Sequence, residues 1–188
     1  MIKQFTFGFD EPPVETDPLF LAIVPDEDTA QRFEERAEQL RKTRGLTGAS
    51  RPFHITLCEI VPRTSFPRML EALAGVGTSL GAQPFSVALN RVVKFGKGKG
   101  EGAVVLTGDD GVAGLIAFRH ALCFGLQKAG LGKWSMKGYT PHLTVLYDTR
   151  ELDERIEPVE WTVREFVLLR SLVGQAKHVP LGRWTLGG

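Results

Sequence analysis

The sequence is poor in cysteine, since its 188 residues include two, Cys58 and Cys123. They do not form a C-x-x-C motif, and neither has a neighbouring histidine at the spacing of metal ligands. This argues against a metal-binding or redox motif. We therefore expect two buried or half-buried structural thiols, no metal ion and no other cofactor.

The sequence also lacks a long hydrophobic run. Its longest aliphatic stretch, residues 19–24, is far too short to cross a bilayer. Residues 1–10 contain Lys3 and Asp10 and have no continuous apolar segment, so they do not resemble a secretory signal. We expect a cytoplasmic protein with no membrane partner.

The sequence has no large excess of positive or negative charge, since its formal net charge is +1. This argues against a protein that coats nucleic acid by bulk electrostatics, although it leaves room for a site that grips one or two phosphates. With 43% hydrophobic and 24% charged residues, the composition is that of an ordinary globular protein. The basic groups that such a site could use are Lys94, Lys97, Lys99, Lys133, Lys137, Arg41, Lys42, Arg44 and Arg51.

The hydrophobic pattern predicts strands and helices in mixed order. Strands are predicted at residues 19–24, 53–60, 85–95, 102–107, 139–147, 159–172 and 177–186. Helices are predicted at residues 26–44, 68–80 and 109–129. This order indicates an α+β protein.

Two short segments repeat each other: Pro-Phe-His-Ile-Thr-Leu at 52–57 and Thr-Pro-His-Leu-Thr-Val at 140–145. They hold two of the four histidines in the chain. Residues i and i+2 of a strand face the same way, so His54 lies beside Thr56, and His142 lies beside Thr144. Two imidazoles and two hydroxyls brought together are suited to acid/base chemistry on a phosphate ester.

One H-x-T segment alone is weak evidence, because a single histidine is more often a hydrogen-bonded structural residue. The pair favours a catalytic role, since the packing of a strand does not require His and Thr together. His54 and His142 are 88 positions apart, close to half of the chain. We therefore expect a duplicated architecture with one motif strand in each lobe.

Other residues are weaker candidates. The glycine- and lysine-rich run at 96–102 lacks the order of a phosphate-binding loop and favours a flexible hairpin, with Lys97 or Lys99 as a candidate substrate contact. The two remaining histidines, His120 and His178, are expected to have surface or packing roles. Phe53 and Tyr139 flank the motifs and are open to base stacking, which core packing explains equally well.

The motifs and their order resemble the two-histidine phosphoesterase superfamily, and within it the bacterial and archaeal 2′-5′ RNA ligase and RNA 2′,3′-cyclic phosphodiesterase group. The matching segments, which follow the family order along nearly the whole chain, are residues 19–25, 54–57, 141–145 and 166–172. The chain departs from the RNA-ligase pattern at Glu59, Ile60 and Val61, and at Tyr147, where the family often has arginine.

The expected fold is α+β, with one domain, residues 1–188, of two duplicated lobes. Antiparallel or mixed sheets would line a central cleft, with helices on the outside. The resemblance implies metal-independent hydrolysis of a 2′,3′-cyclic phosphate, with His54 as proton donor and His142 as proton acceptor. Thr56 and Thr144 would bind the phosphate, and Tyr147 is a further candidate substrate contact.

Several alternatives share this site. A 2′-5′ RNA ligase would use it in reverse, and a relative acting on ADP-ribose 1″,2″-cyclic phosphate would accept a small nucleotide. A non-catalytic module would bind RNA or nucleotide without turnover. The expected partner is RNA with a 2′,3′-cyclic phosphate end, or a small nucleotide, and we expect a monomer.

Overall fold

The computed structural model describes residues 17–60, 65–96, 100–132 and 138–187. The strands are β1 (Leu19–Ile23), β2 (Ile55–Ile60), β3 (Phe85–Phe95), β4 (Gly102–Thr107), β5 (His142–Asp148), β6 (Asp153–Val163), β7 (Glu165–Leu172) and β8 (Lys177–Thr185). The helices are α1 (Glu27–Arg44), α2 (Phe66–Ser79) and α3 (Ala113–Lys128), the last preceded by a 3-10 turn at Asp110–Val112. The predicted α+β class is confirmed. No helix in these described ranges is long and apolar enough to cross a membrane.

Helix α1 begins and ends where its sequence indicates. The side chain of Asp26 accepts a hydrogen bond of 2.8 Å from the backbone N–H of Thr29, which satisfies one of the free donors of the first turn. Gly45 ends the helix in the left-handed conformation, with φ of 63°. The buried face has helical spacing and consists of Thr29, Phe33, Ala37 and Leu40.

The eight strands form one sheet in the order β6-β3-β4-β5-β2-β1-β7-β8, and each described pairing is antiparallel. Strands β2 and β5 meet through one pair of residues, Ile55 and Leu143. The sheet therefore divides into two halves of four strands, β6-β3-β4-β5 and β2-β1-β7-β8. Each half contributes one motif strand, at its inner edge.

The prediction of one strand over residues 159–172 is wrong. The run forms two strands, β6 and β7, separated at Arg164. Strand β6 pairs with β3 at the outer edge of one half, whereas β7 pairs with β1 in the other half. The apolar alternation continues through both, so the sequence does not reveal that the strand changes partners.

This connection shows that the sheet is strongly curved. In a flat sheet, β6 and β7 would be six strand spacings apart, or roughly 29 Å at about 4.8 Å per strand, and a single linking residue cannot span that distance. Helix α3 packs against both halves of the sheet, close to the connection between β6 and β7. The ring of Phe118 lies 5.3 Å from the ring of Phe85 on β3 and 5.4 Å from that of Phe166 on β7.

The two faces of the sheet differ in how they are covered. Leu19, Leu21 and Ile23 of β1 belong to the main apolar core, which includes the buried apolar residues of the three helices. The alternating residues Phe20 and Ala22 instead pack in a separate small cluster with Val167 and Leu169 of β7. Because successive side chains of a strand point to opposite faces, this small cluster lies on the face away from the main core.

The two cysteines lie in the main core, as expected. Cys58 on β2 and Cys123 on α3 are both buried, with their Sγ atoms 2.6 Å apart. The hydrogen bond to Cys123 and the burial of the thiol raise the pKa of Cys58. The pair thus helps to attach α3 to the motif strand β2.

Candidate active site

A β-bulge in β2 decides which of its residues face the open side of the sheet. The register against β1 shifts between Thr56 and Cys58, which leaves Leu57 as an extra residue. Strict alternation would place Thr56 and Glu59 on opposite faces. The bulge places both of them on the same side, where they line a cleft.

Strand β5 has a matching bulge. Its register against β4 shifts between Thr144 and Leu146, so Val145 is the extra residue. Thr144 and Tyr147 consequently both line the cleft. The two motif strands therefore share an irregularity as well as a sequence, and Tyr147 occupies on β5 the place that Glu59 occupies on β2.

The cleft has a volume of about 510 Å³ and lies where the two motif strands meet. It brings together the four residues of the repeated motifs, which are His54, Thr56, His142 and Thr144. Its other polar side chains are Arg51, Glu59, Tyr147, Ser171 and His178. The volume is in the range of about 300–1,000 Å³ that small-molecule sites occupy, so the cleft has room for more than a phosphate group.

The two motif histidines are held in the same way. Nδ1 of His54 lies 2.8 Å from the carbonyl oxygen of Pro52, and Nδ1 of His142 lies 2.8 Å from that of Thr140. A carbonyl oxygen accepts but does not donate, so each Nδ1 carries the proton in these bonds. Each ring therefore keeps Nε2 for chemistry in the cleft.

Burial sets the protonation state of His54. Removal of its ring from water lowers the pKa to about 4, and the like charges that His178 and His142 carry when protonated add to the shift. The hydrogen bond to Pro52 acts in the opposite direction; its influence is smaller than that of burial but larger than that of either like charge. His54 is thus neutral at physiological pH, with Nε2 free to accept a proton.

We expect this burial to make folding stability depend on pH. Between pH 6.5 and about 4, the unfolded chain protonates His54 and the folded chain does not, so the free energy of unfolding falls as the pH falls. The expected loss from this group is on the order of 2 kcal/mol, after allowance for its partial exposure. Urea unfolding at pH 7 and pH 4.5 should show that His54→Gln loses less stability than the wild type. Equal losses in the two proteins would contradict the assignment.

The segment before β2 places a cation in the cleft. The backbone N–H of Arg51 donates to the carbonyl of Val145 on β5, at 3.1 Å. Its guanidinium carbon lies 5.1 Å from the centroid of the Tyr147 ring, a cation–π contact. Gly48 allows this segment to approach β5, because a Cβ there would lie 2.0 Å from the carbonyl oxygen of Tyr147.

The other predicted basic groups within the described residues have different partners. Arg41 donates to the carbonyl of Gly48 and to Ser50, Arg44 pairs with Glu154 at 2.7 Å, and Lys94 pairs with Glu151 at 2.9 Å. Lys42 pairs with Glu38 on the exposed side of α1. Lys97, Lys99, Lys133 and Lys137 lie outside the described residues.

Two candidate substrate contacts do not line the cleft. Phe53 packs against the core, with its ring 5.7 Å from that of Phe33. The hydroxyl of Tyr139 donates to the backbone carbonyl of Thr56 at 2.9 Å, and the Arg119 guanidinium carbon lies 3.9 Å from its ring centroid. The hydrogen bond of Tyr139 therefore stabilises the backbone of the motif strand β2. Of the three predicted aromatic contacts, Tyr147 is the one that lines the cleft.

His178 also lines the cleft, a position that the sequence does not indicate. The sequence favours a surface or packing role for it, and in the structure its ring lies 4.7 Å from that of His54. The contact depends on the pairing of β7 with β8, which places His178 opposite Ser171. Three of the four histidines therefore share one cleft, although no described group of three or more His, Cys, Asp or Glu residues is placed to hold a metal ion.

Two solved structures have a fold similar to that of this chain. The chain is 24% identical to Escherichia coli LigT, with a TM-score of 0.66 over 92% of this chain and 98% of that one. A Thermus thermophilus protein is 23% identical, with a TM-score of 0.64 over 91% and 98% of the two chains. These likenesses show a shared fold.

The search of curated proteins found no match. A family profile described as the 2'-5' RNA ligase superfamily matches residues 25–175, which include both motif strands. This match covers well over half of the chain, and the chain belongs to the 2'-5' RNA ligase superfamily.

Proposed function

We propose that the protein is a metal-independent phosphodiesterase that hydrolyses 2′,3′-cyclic phosphates at an RNA end or on a small nucleotide. The observation that carries this proposal is the pair of imidazoles in one cleft. Each has Nδ1 bonded to a backbone carbonyl, Nε2 free and a threonine hydroxyl beside it. Such a pair supplies both a general base and a general acid without any further group.

In hydrolysis, one imidazole takes a proton from water as the water oxygen attacks phosphorus. The other imidazole gives a proton to the sugar oxygen as the bond between that oxygen and phosphorus breaks. The resemblance implies that His54 donates and His142 accepts. The lowered pKa of His54 supports the opposite order, because a neutral ring is the acceptor, and we assign that role to His54. His142 is then the donor.

The remaining polar groups act on the charge of the phosphate. Thr56 and Thr144 each lie two residues beyond a motif histidine on the cleft side and would donate to non-bridging oxygens. Arg51 would add a fixed positive charge near the same oxygens. Donors already in place for the transition-state charge cost little reorganisation during the reaction.

The solved structures of the LigT fold support a nucleotide substrate. Escherichia coli LigT has been crystallised with 3'-AMP, with ATP, with NADP+ and with phosphate. A cleft of about 510 Å³ suits a ligand of that size in the present chain. In ligation, the 5′-hydroxyl of a second RNA attacks the cyclic phosphate in place of water, and the P–O bond to the 3′ oxygen breaks to leave a 2′-5′ diester. The superfamily description favours ligation as the second candidate.

A panel of cyclic phosphates tests the proposal. We expect turnover of nucleoside and oligonucleotide 2′,3′-cyclic phosphates that persists in EDTA, with a bell-shaped pH profile. RNA fragments with a cyclic phosphate and a free 5′-hydroxyl test ligation, and ADP-ribose 1″,2″-cyclic phosphate tests the small-nucleotide alternative. Binding without turnover on every substrate, or activity that EDTA abolishes, would contradict the proposal.

A further inference from the structure

The β7–β8 hairpin builds a third wall of the cleft, beyond the two motif strands. Ser171 on β7 and His178 on β8 are directly opposite each other in the antiparallel ladder, and both line the cleft. The cleft thus contains a third imidazole beside a third hydroxyl. In the two motifs this combination comes from residues i and i+2 of one strand, whereas here it comes from two paired strands.

This wall is held firmly against the rest of the sheet. The backbone N–H of Ser171 donates to the carbonyl of Pro18 at 2.9 Å, just before β1. The ring of Phe20 lies 5.2 Å from both His178 and His54, so these three rings form one cluster. Ala176, which also lines the cleft, has a φ of 49°, a left-handed conformation that costs an L-residue about 1 kcal/mol. Ala176 lies in the turn that joins β7 to β8, so the left-handed residue belongs to the chain reversal that brings the two strands together.

The fixed charges of the cleft come from residues outside the β7–β8 hairpin. Among the described residues that line the cleft, Arg51 has the one fixed positive charge, and it lies over Tyr147 on β5. Glu59 has the one carboxylate, and it is the register partner of Phe20. The motif histidines and threonines already account for one phosphate, and the volume of about 510 Å³ leaves space beside it.

We propose that His178 and Ser171 form a second anion subsite that binds a phosphate next to the one undergoing reaction. The inference rests on the proposed function for the identity of the first phosphate. An imidazole N–H and a hydroxyl are both donors, and phosphate oxygens accept several hydrogen bonds at once. The subsite therefore favours nucleotides with a second phosphate, such as an RNA end, over a nucleoside cyclic phosphate with a free 5′-hydroxyl.

Calorimetric titration with two matched probes tests this subsite without any need for turnover. Adenosine 3′,5′-bisphosphate differs from 3′-AMP by the second phosphate alone. We expect the wild type to bind the bisphosphate at least about tenfold more tightly, as one charge-assisted contact provides. His178→Phe keeps an aromatic ring and removes the N–H, so it should lose this preference. His178→Gln keeps an N–H donor and should retain part of it.

Further variants separate a substrate contact from a packing role. Ser171→Ala should reduce the preference in part, and Glu59→Gln should increase it, because a negative charge beside Phe20 is removed. Lys177→Ala is the matched control, since it removes a positive charge from an exposed neighbour of His178 that alternation places on the other face. It should leave the preference unchanged.

Two results would overturn the subsite. One is a wild type that binds both probes equally. The other is that His178→Phe preserves the preference for the bisphosphate and His178→Gln abolishes it. That result would show that the ring of His178 packs against His54 and does not contact the second phosphate. Tight, His178-dependent binding of the bisphosphate by a protein that hydrolyses no cyclic phosphate would support the subsite and contradict the proposed function, so the two failures are distinguishable.

Discussion

Replacement of His54 or His142 with alanine is expected to lower kcat/KM for 2′,3′-cyclic phosphates by about 10²- to 10⁴-fold. Each ring provides one of the two proton transfers, and no third imidazole in the described part of the cleft has Nδ1 bonded to a backbone carbonyl two residues earlier. The rates are measured under subsaturating substrate at neutral pH. The double variant should be little worse than either single variant, since the two rings act in one step.

His120→Ala is the matched control for these variants. His120 is exposed on α3 and does not line the cleft, so the same substitution there should leave the rate unchanged. Circular dichroism and thermal unfolding establish that each variant is folded. Retention of a tenth or more of the activity by a folded His54→Ala or His142→Ala protein would contradict their catalytic roles.

A change of leaving group should separate the roles of the two histidines. On a nucleoside p-nitrophenyl phosphodiester, nitrophenolate leaves without needing a proton, so loss of the general acid has little effect. We expect His142→Ala to approach the wild-type rate on this substrate. His54→Ala should stay lower by about 10²-fold or more, because the attacking water still needs its base.

The opposite outcome has an equally clear meaning. Recovery of His54→Ala, with His142→Ala still impaired, would show that His54 donates the proton, as the resemblance implies. It would also mean that His54 is protonated when substrate is bound, although burial lowers its pKa in the protein alone. Slow rates for both variants would indicate that neither ring acts as a simple general acid.

Much of the fold could be predicted from local patterns. The cap at Asp26, the glycine stop at Gly45 and the alternation of β3 and β4 are short-range signals, and these elements lie close to where they are predicted. The run at 159–172 could not be divided, because β6 and β7 have the same apolar character and differ in their partner strands. Pairing partners are a property of the whole chain.

The placement of the four motif residues in the site could also be predicted from the sequence. The i, i+2 relation places His54 with Thr56 and His142 with Thr144 once each segment is known to be a strand, and all four residues line the cleft. The bulges were not predictable in this way, since strict alternation puts Glu59 and Tyr147 on the wrong face. The positions of Phe53 and Tyr139 also depend on long-range packing, against Phe33 and Arg119.

The sequence by itself therefore determined the chemical groups of the site, because the repeated His-x-Thr spacing is local and strand geometry converts it directly into a shared face. Tertiary structure alone decided that the two motif strands are neighbours, that burial keeps His54 neutral, and that Arg51 and His178 join the same cleft. The physical reason is the distance along the chain. His178 lies 124 positions from His54, and only the curvature of one sheet and the β7–β8 pairing bring their rings to 4.7 Å.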